Sequence, residues 1–89
     1  MTRYRLYTER FDNLATITSN YFEGFTLFES QGYWQGVAEQ SVVIEIIASD
    51  DDSWRIDALA EFIRRANNQQ AVIVTTEPVH FKMIAAEVA

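Results

Sequence analysis

The stretch "GYWQGVAEQSVVIEI", residues 32–46, places two aromatic residues and a glycine-bearing break directly before a dense run of β-branched residues. Valine and isoleucine are typical of strands, so residues 41–49 are predicted to form one. Residues 25–34 predict a second strand, and residues 35–40 are expected to form the turn. Gly32, inside the second strand, indicates a bulge or a close backbone approach. This stretch therefore predicts a β-hairpin.

Two helices and two further strands are predicted around the hairpin. Asp12 or Asn13 can cap the first helix, Asp52 or Ser53 can cap the second, and Pro78 closes the last strand. Residues 79–89 are expected to hold a short edge strand or a last helical turn. The predicted strands are 4–9, 25–34, 41–49 and 71–77, and the predicted helices are 13–22 and 53–67. The order βαββαβ predicts a single α+β domain over residues 1–89, a ferredoxin-like plait whose antiparallel sheet carries both helices on one face.

The strand at 41–49 is apolar on both of its faces. One face of this strand carries Val42, Ile44 and Ile46, and the other face carries Val43 and Ile47. A sheet with one face in water shows polar residues on that face. We therefore expect the face without helices to be covered, and association between copies of the chain is the simplest cover.

The composition excludes several classes of function. The chain has 89 residues, a net charge of −6 and no cysteine. A single lysine and scattered arginines do not make the basic surface that nucleic acids require. No apolar run is long enough to span a membrane, and the first residues lack the apolar stretch of a secretion signal. We expect a cytoplasmic protein that binds neither nucleic acid nor membranes.

The hairpin resembles that of CutA-type proteins and, more loosely, that of PII-type signalling proteins. In those chains an aromatic pair precedes a glycine turn, an acidic residue and an apolar strand. Here these features are Tyr33 and Trp34, Gly36, Glu39 and residues 42–47. The resemblance implies a homotrimer whose sheets face a threefold axis and whose hairpins reach neighbouring subunits.

The same resemblance assigns the candidate ligand-binding or interface residues. Successive strand residues point to opposite faces, so one aromatic ring of the pair can cover the core while the other meets a neighbouring subunit. Alternatively, both rings only brace their own hairpin. The candidate residues are Tyr33, Trp34, Gly36, Glu39 and Glu45.

The chain departs from PII proteins where they bind nucleotides. A glycine-rich, lysine-bearing loop precedes the last strand in PII proteins, whereas this chain has "ANNQQ" at residues 66–70. A phosphate cradle needs close backbone approach and positive charge. We therefore expect no binding of ATP or ADP.

Other motifs give no strong indication of chemistry. The acidic run Asp50–Asp52 suits a helix N-terminus and lacks the spacing of a calcium loop. His80, the sole histidine, makes a poor metal site, and nothing in the spacing of Glu29, Glu39 and Glu45 requires an acid–base pair. No catalytic residue, metal or cofactor is predicted. Two alternatives stay open: a dimeric α+β-barrel enzyme that uses His80 or Glu45, and an accessory protein-interaction factor.

Overall fold

The computed structural model describes residues 1–86. Its elements are β1 (Thr2–Glu9), α1 (Leu14–Ser19), β2 (Thr26–Trp34), β3 (Val37–Ala48), a 3-10 turn (Asp50–Asp52), α2 (Ser53–Ala66) and β4 (Ile73–Pro78). The strands form one sheet in the order β2-β3-β1-β4, and every neighbouring pair is antiparallel. This topology confirms the predicted ferredoxin-like plait.

The core lies between the sheet and the two helices. Leu6 pairs with Ile44 across the two central strands, and both side chains are completely buried. Alternation along a strand puts every second residue on this side, which explains the burial of Val42 and Ile46 as well. Both helices contribute to the core: α1 through Leu14, and α2 through its buried residues Ile56, Leu59, Ala60 and Ile63.

The hairpin is longer than the sequence indicated, because its turn contains two residues only. Trp34 pairs directly with Val37, and the connecting residues Gln35 and Gly36 both have positive φ, 51° and 81°. Two positive φ angles are characteristic of the type I′ turn, whose twist matches that of the flanking strands. The predicted turn over 35–40 was therefore wrong. Ala38, Glu39 and Gln40 have little strand propensity, but pairing across the tight turn holds them in β3.

Residues 31–40 form a hairpin arm that continues past the neighbouring strand β1. The last pair between β1 and β3 joins Glu9 to Ser41, whereas β2 and β3 stay paired as far as Trp34 and Val37. The described chain is accordingly elongated, with extents of 52 × 24 × 22 Å. Beyond Ser41, the strands of the arm pair with each other, and one more backbone bond, from the Arg10 N–H to the Gln40 carbonyl at 3.0 Å, joins the arm to the residue that follows β1.

Gly32 marks a close approach and not a bulge. It pairs in unbroken register with Glu39. A Cβ at this position would lie 2.5 Å from the Ser41 Oγ. Glycine thus lets the two strands of the arm pack without displacing that hydroxyl.

The first helix is shorter than predicted, ending at Ser19 and not at residue 22. Asn13 occupies the N-cap position without a capping bond from its side chain. The Thr18 hydroxyl donates to the Leu14 carbonyl at 2.8 Å, a local bond that is typical of threonine in helices. Phe22 is nevertheless buried, because the chain after the helix packs back onto the core.

The second helix follows the prediction closely and begins after the acidic run. Asp50–Asp52 form the 3-10 turn, and the Ser49 hydroxyl accepts a hydrogen bond from the Asp51 N–H at 3.2 Å. Asp52 is the N-cap residue of α2, although its side chain makes no capping bond. The run therefore has the structural role expected at a helix start.

Residues 79–86 form no helix or strand, so the element expected in this segment is absent from its described part; residues 87–89 lie outside the described chain. Among residues 1–86, no helix is long and apolar enough to cross a membrane.

Replacing Gly36 tests the turn. The left-handed region costs a residue with a Cβ about 1–2 kcal/mol, so Gly36→Ala is expected to lower the free energy of unfolding by about 1 kcal/mol. Gly24→Ala is the matched control, because nothing lies within 4 Å of the added Cβ and its φ is not positive. Urea denaturation of both variants measures the difference, and equal stabilities would contradict the turn geometry.

Candidate functional site

The sheet face opposite the helices carries a row of four apolar side chains that crosses all four strands. Tyr7 of β1 pairs with Ile73 of β4 on one side and with Val43 of β3 on the other, and Val43 pairs with Phe28 of β2. Paired residues share a face, so the four side chains form one band, here called the apolar row. The exposed fractions are 37% for Tyr7, 45% for Phe28 and 55% for Ile73. None of the described helices covers this band.

Charged residues lie next to the apolar row on the same face. The Arg5 Nε–H donates to one oxygen of Glu45 at 3.0 Å, and an Arg5 Nη lies 2.9 Å from the same oxygen in an ion pair. This hydrogen bond raises the pKa of Arg5 above its ordinary value. Arg3 approaches the same Glu45 oxygen at 3.8 Å and also pairs with Glu77. Glu45 is therefore the centre of an ion-pair network within the chain.

At the tip of the hairpin arm, the two adjacent aromatic residues point in opposite directions. Tyr33 pairs with Ala38 on the helix side, and Trp34 pairs with Val37 on the side of the apolar row. Tyr33 is 71% exposed and Trp34 is 43% exposed, so neither ring covers the core as expected from the sequence. The reason is that the arm extends beyond the helices. The Trp34 Nε1–H instead donates to the Gln70 side-chain oxygen at 3.2 Å.

This hydrogen bond joins the arm to the segment that leads into β4 and closes one side of a cleft. The cleft, here called the arm cleft, has a volume of about 530 Å³. Tyr7 and Trp34 contribute aromatic surface, and Ser30, Glu9 and Glu39 contribute polar groups. A more open depression of about 780 Å³ lies against the arm beside Arg10 and Glu29, which form an ion pair at 3.2 Å.

The polar end of the arm cleft contains a pair of carboxyl groups. Glu39 of the arm and Glu9 of β1 share a hydrogen bond, which raises the pKa of Glu39 above its ordinary value. The Asn67 side-chain N–H donates to a Glu9 carboxyl oxygen at 3.1 Å, and the Glu9 backbone N–H donates to the Gln69 side chain at 3.2 Å. Glu9 is thus held from two sides while Glu39 approaches it.

The structure places three of the five candidate residues along the arm cleft and separates the other two from them. Tyr33, Trp34 and Glu39 line the cleft, but the Tyr33 side chain points to the helix side, so only Trp34 and Glu39 have side chains on the same face. Gly36 lies in the turn, where its role is to adopt the positive φ angle that the turn requires. Glu45 lies six residues from Glu39 along β3, about 20 Å at 3.3 Å per residue, and is bound to Arg5.

The carboxylates considered as acid–base partners do not meet one another. Glu29 pairs with Arg10, Glu45 pairs with Arg5, and Glu39 contacts Glu9. His80 lines neither depression. Within the part of the chain that the structure describes, no group of histidine, cysteine or acidic residues has the arrangement of a metal site.

Sequence reasoning missed Tyr7 and the segment 68–71 as parts of the site. The sequence did indicate Tyr7, because it is an aromatic residue between the charged Arg5 and Glu9 on the face of β1 that points away from the helices. Gln69 gave no such signal, yet its side chain is buried and hydrogen-bonded to Thr8 at 2.7 Å. That contact holds residues 68–71 beside the arm.

Comparison with solved structures shows similarity of fold. A designed protein, "De novo designed protein Foldit4", matches with a TM-score of 0.50 and 12% identity over 89% of this chain and 96% of its own. CutA from Synechococcus elongatus PCC7942 matches with a TM-score of 0.48 and 15% identity over 85% of this chain and 74% of its own. No family model and no curated protein matches the sequence.

The carboxyl pair predicts a pH-dependent effect of Glu39→Gln. A raised pKa means that the Glu9–Glu39 contact stabilises the fold while Glu39 is protonated, and that this stabilisation is lost as the pH rises through the Glu39 pKa. Glu39→Gln keeps a hydrogen-bond donor at every pH. We expect the variant to melt at a higher temperature than the wild type at pH 7, and the difference to shrink toward pH 4.

Thermal denaturation at both pH values measures this effect. Glu29→Gln is the control, because Glu29 pairs with Arg10 and its replacement removes an attraction. A Glu39→Gln variant that is less stable than the wild type at pH 7 would contradict the carboxyl contact.

Proposed function

We propose that this protein is a small homotrimeric binding or regulatory module of the PII/CutA-like kind, assembled through the sheet face that carries the apolar row. The observation that supports this most is the row itself: Ile73, Tyr7, Val43 and Phe28 lie side by side at the surface of an isolated chain. Burial of apolar surface contributes roughly 25 cal/mol per Å². Contact between copies of this face would remove the row from water.

The charged residues beside the row are compatible with such an interface. Arg5 and Glu45 are already paired within the chain, so burying them would not leave an isolated charge without a partner. Three copies are proposed, and not two, because the hairpin resembles that of CutA-type proteins. The same resemblance implies that the hairpin arm reaches a neighbouring subunit, which would then extend the arm cleft.

In this proposal the arm cleft holds the ligand or the partner segment. Its aromatic and polar surface, with Trp34 at one side and the Glu9–Glu39 pair at the other, suits a small molecule that combines a ring or aliphatic part with hydrogen-bonding groups. Nothing in the segment 66–70 adds the glycine or lysine of a phosphate cradle. We therefore propose a ligand other than ATP or ADP, and a cytoplasmic location.

The alternative dimeric enzyme receives less support. It would need a polar catalytic group inside an enclosed cavity on the sheet face. Glu45 lies in an ion pair with Arg5, and His80 lies beyond the end of β4. An accessory protein-interaction factor stays compatible with the same surface and differs only in what the arm cleft binds.

Phe28→Ser is expected to dissociate the trimer. Removing a large side chain from a buried interface contact often costs about 2 kcal/mol or more, and the loss is repeated at each equivalent contact. Phe62→Ser is the matched control, since Phe62 is 49% exposed on α2 and Phe28 is 45% exposed on the proposed interface. Sedimentation velocity across a dilution series should show dissociation of the Phe28 variant at concentrations where the wild type and the Phe62 variant stay associated.

Other outcomes of the series would contradict the proposal in different ways. A wild-type chain that sediments as a monomer at micromolar concentration would reject association through this face. A stable wild-type dimer would favour the α+β-barrel arrangement. Equal association of the two serine variants would place the interface elsewhere on the surface.

A further inference from the structure

The charge of the arm cleft is one-sided. Of the described residues that line it, Glu9 and Glu39 are acidic, and none is an arginine, a lysine or a histidine. Arg10 follows Glu9 directly, but its guanidinium pairs with Glu29 at 3.2 Å, and Glu29 lies opposite the buried Val42 on the helix side of the sheet. The two carboxyl groups of the cleft therefore face a space that contains no positively charged side chain.

The strand register places these two carboxyl groups next to each other. Glu9 pairs with Ser41 across β1 and β3, and Glu39 lies two residues before Ser41 on the same face of β3. Diagonal neighbours of this kind are about 7–8 Å apart, which long side chains can span. Glu9 is also held in place, because Gln69, which is only 7% exposed, accepts a hydrogen bond from the Glu9 backbone N–H at 3.2 Å.

An aromatic residue lies beyond each of the two carboxyl groups. Trp34 is the diagonal neighbour of Glu39 across the arm, and Tyr7 precedes Glu9 by two residues on the same face of β1. Gly32 pairs with Glu39 and contributes no side chain to the space between the carboxyl groups and Trp34. The order along the cleft is therefore aromatic ring, carboxyl group, carboxyl group, aromatic ring.

This order of groups suits an organic cation. When Glu9 and Glu39 are both ionised, two negative charges lie side by side, and a bound cation would offset their repulsion. The N–H groups of an ammonium ion can donate to both carboxylates, and its charge is attracted to the face of an aromatic ring. An anionic ligand would be repelled by the same two carboxylates. A metal ion is not favoured, because no group of histidine, cysteine or acidic residues within residues 1–86 has the arrangement of a metal site.

We infer that the arm cleft binds a primary organic ammonium ion, with the ammonium group between the carboxyl groups of Glu9 and Glu39 and the apolar part of the ligand against Trp34. This inference deepens the proposed function and rests on its assignment of the arm cleft as the ligand site. It does not depend on the number of copies in the assembly, because all of these residues belong to one chain.

Three probes of similar shape and different charge test the class of ligand. Phenethylamine is a cation at pH 7, phenethyl alcohol is its neutral counterpart, and hydrocinnamate is the corresponding anion. Isothermal titration calorimetry at pH 7 is expected to show one phenethylamine bound per chain, at least about tenfold more tightly than phenethyl alcohol, because only the cation makes charge-assisted hydrogen bonds to the carboxylates. Hydrocinnamate is expected to give no binding heat. Equal affinity for the amine and the alcohol, or tighter binding of hydrocinnamate, would overturn the inference.

A fluorescence titration tests where the amine binds. Trp54→Phe leaves Trp34 as the only tryptophan of the chain. In this variant, phenethylamine is expected to change the Trp34 emission and to saturate that change over the same concentration range as the binding heat. Binding heat without any change in the Trp34 emission would place the amine elsewhere and overturn the proposed position.

Two glutamine variants test the role of the carboxyl pair. Glu39→Gln is expected to weaken phenethylamine binding about tenfold, because it removes one of the two charges that hold the ammonium group. Glu29→Gln is the matched control, since it makes the same change of charge on the arm but on the helix side, in the ion pair with Arg10. An equal loss of affinity in the two variants would show attraction by net charge alone and overturn the inference.

Light scattering on the same samples separates this inference from the proposed assembly. A trimer that binds no phenethylamine rejects the ammonium site and leaves the trimer standing. A monomer that binds phenethylamine through Glu39 supports the ammonium site and rejects the trimer.

Discussion

The alternation of side chains along β3 is the constraint on which the rest of the structure depends. β3 is a central strand, and its register with β1 fixes which residues face the helices. With Val42, Ile44 and Ile46 buried, Val43 and Ile47 must point to the other side. A slip of one residue would exchange these sets and expose the core. The same register therefore determines both the core and the apolar row.

The hairpin arm follows from the same strand. The two-residue turn at Gln35 and Gly36 continues the pairing of β2 and β3 past the last residue of β1. The arm then has no third strand and no helix against it. Its contacts with the rest of the chain include the hydrogen bond from Trp34 to Gln70, the approach of Glu39 to Glu9 and the backbone bond from the Arg10 N–H to the Gln40 carbonyl. The arm cleft is the space that these contacts enclose.

The sequence predicted the order of elements and the face of each strand, because both depend on local composition and on a period of two. It predicted the limits of β3 and α1 less well. Residues 37–40 are in a strand because of pairing across the turn, and α1 ends early although Phe22 stays buried. These are tertiary effects that override local propensity.

The sequence indicated only those residues of the candidate site that belong to the local hairpin motif, and not those that tertiary contacts bring beside it. Tyr33, Trp34 and Glu39 were identified from the hairpin motif and do line the arm cleft. Glu45 was grouped with them, but six residues of strand and the ion pair with Arg5 separate it. The contribution of Gln69 and Gln70 depends on contacts between residues more than 35 positions apart, Trp34 with Gln70 and Thr8 with Gln69. Local sequence patterns carry no information on such contacts.

The molar mass of the wild-type protein in solution tests the central claim most directly, because the apolar row is either covered by other copies or left in water. Multi-angle light scattering at micromolar concentration and ordinary ionic strength is the measurement. We expect three times the chain mass of 10.3 kDa. A mass of one chain, unchanged over a hundredfold range of concentration, would contradict the proposal that association covers this face.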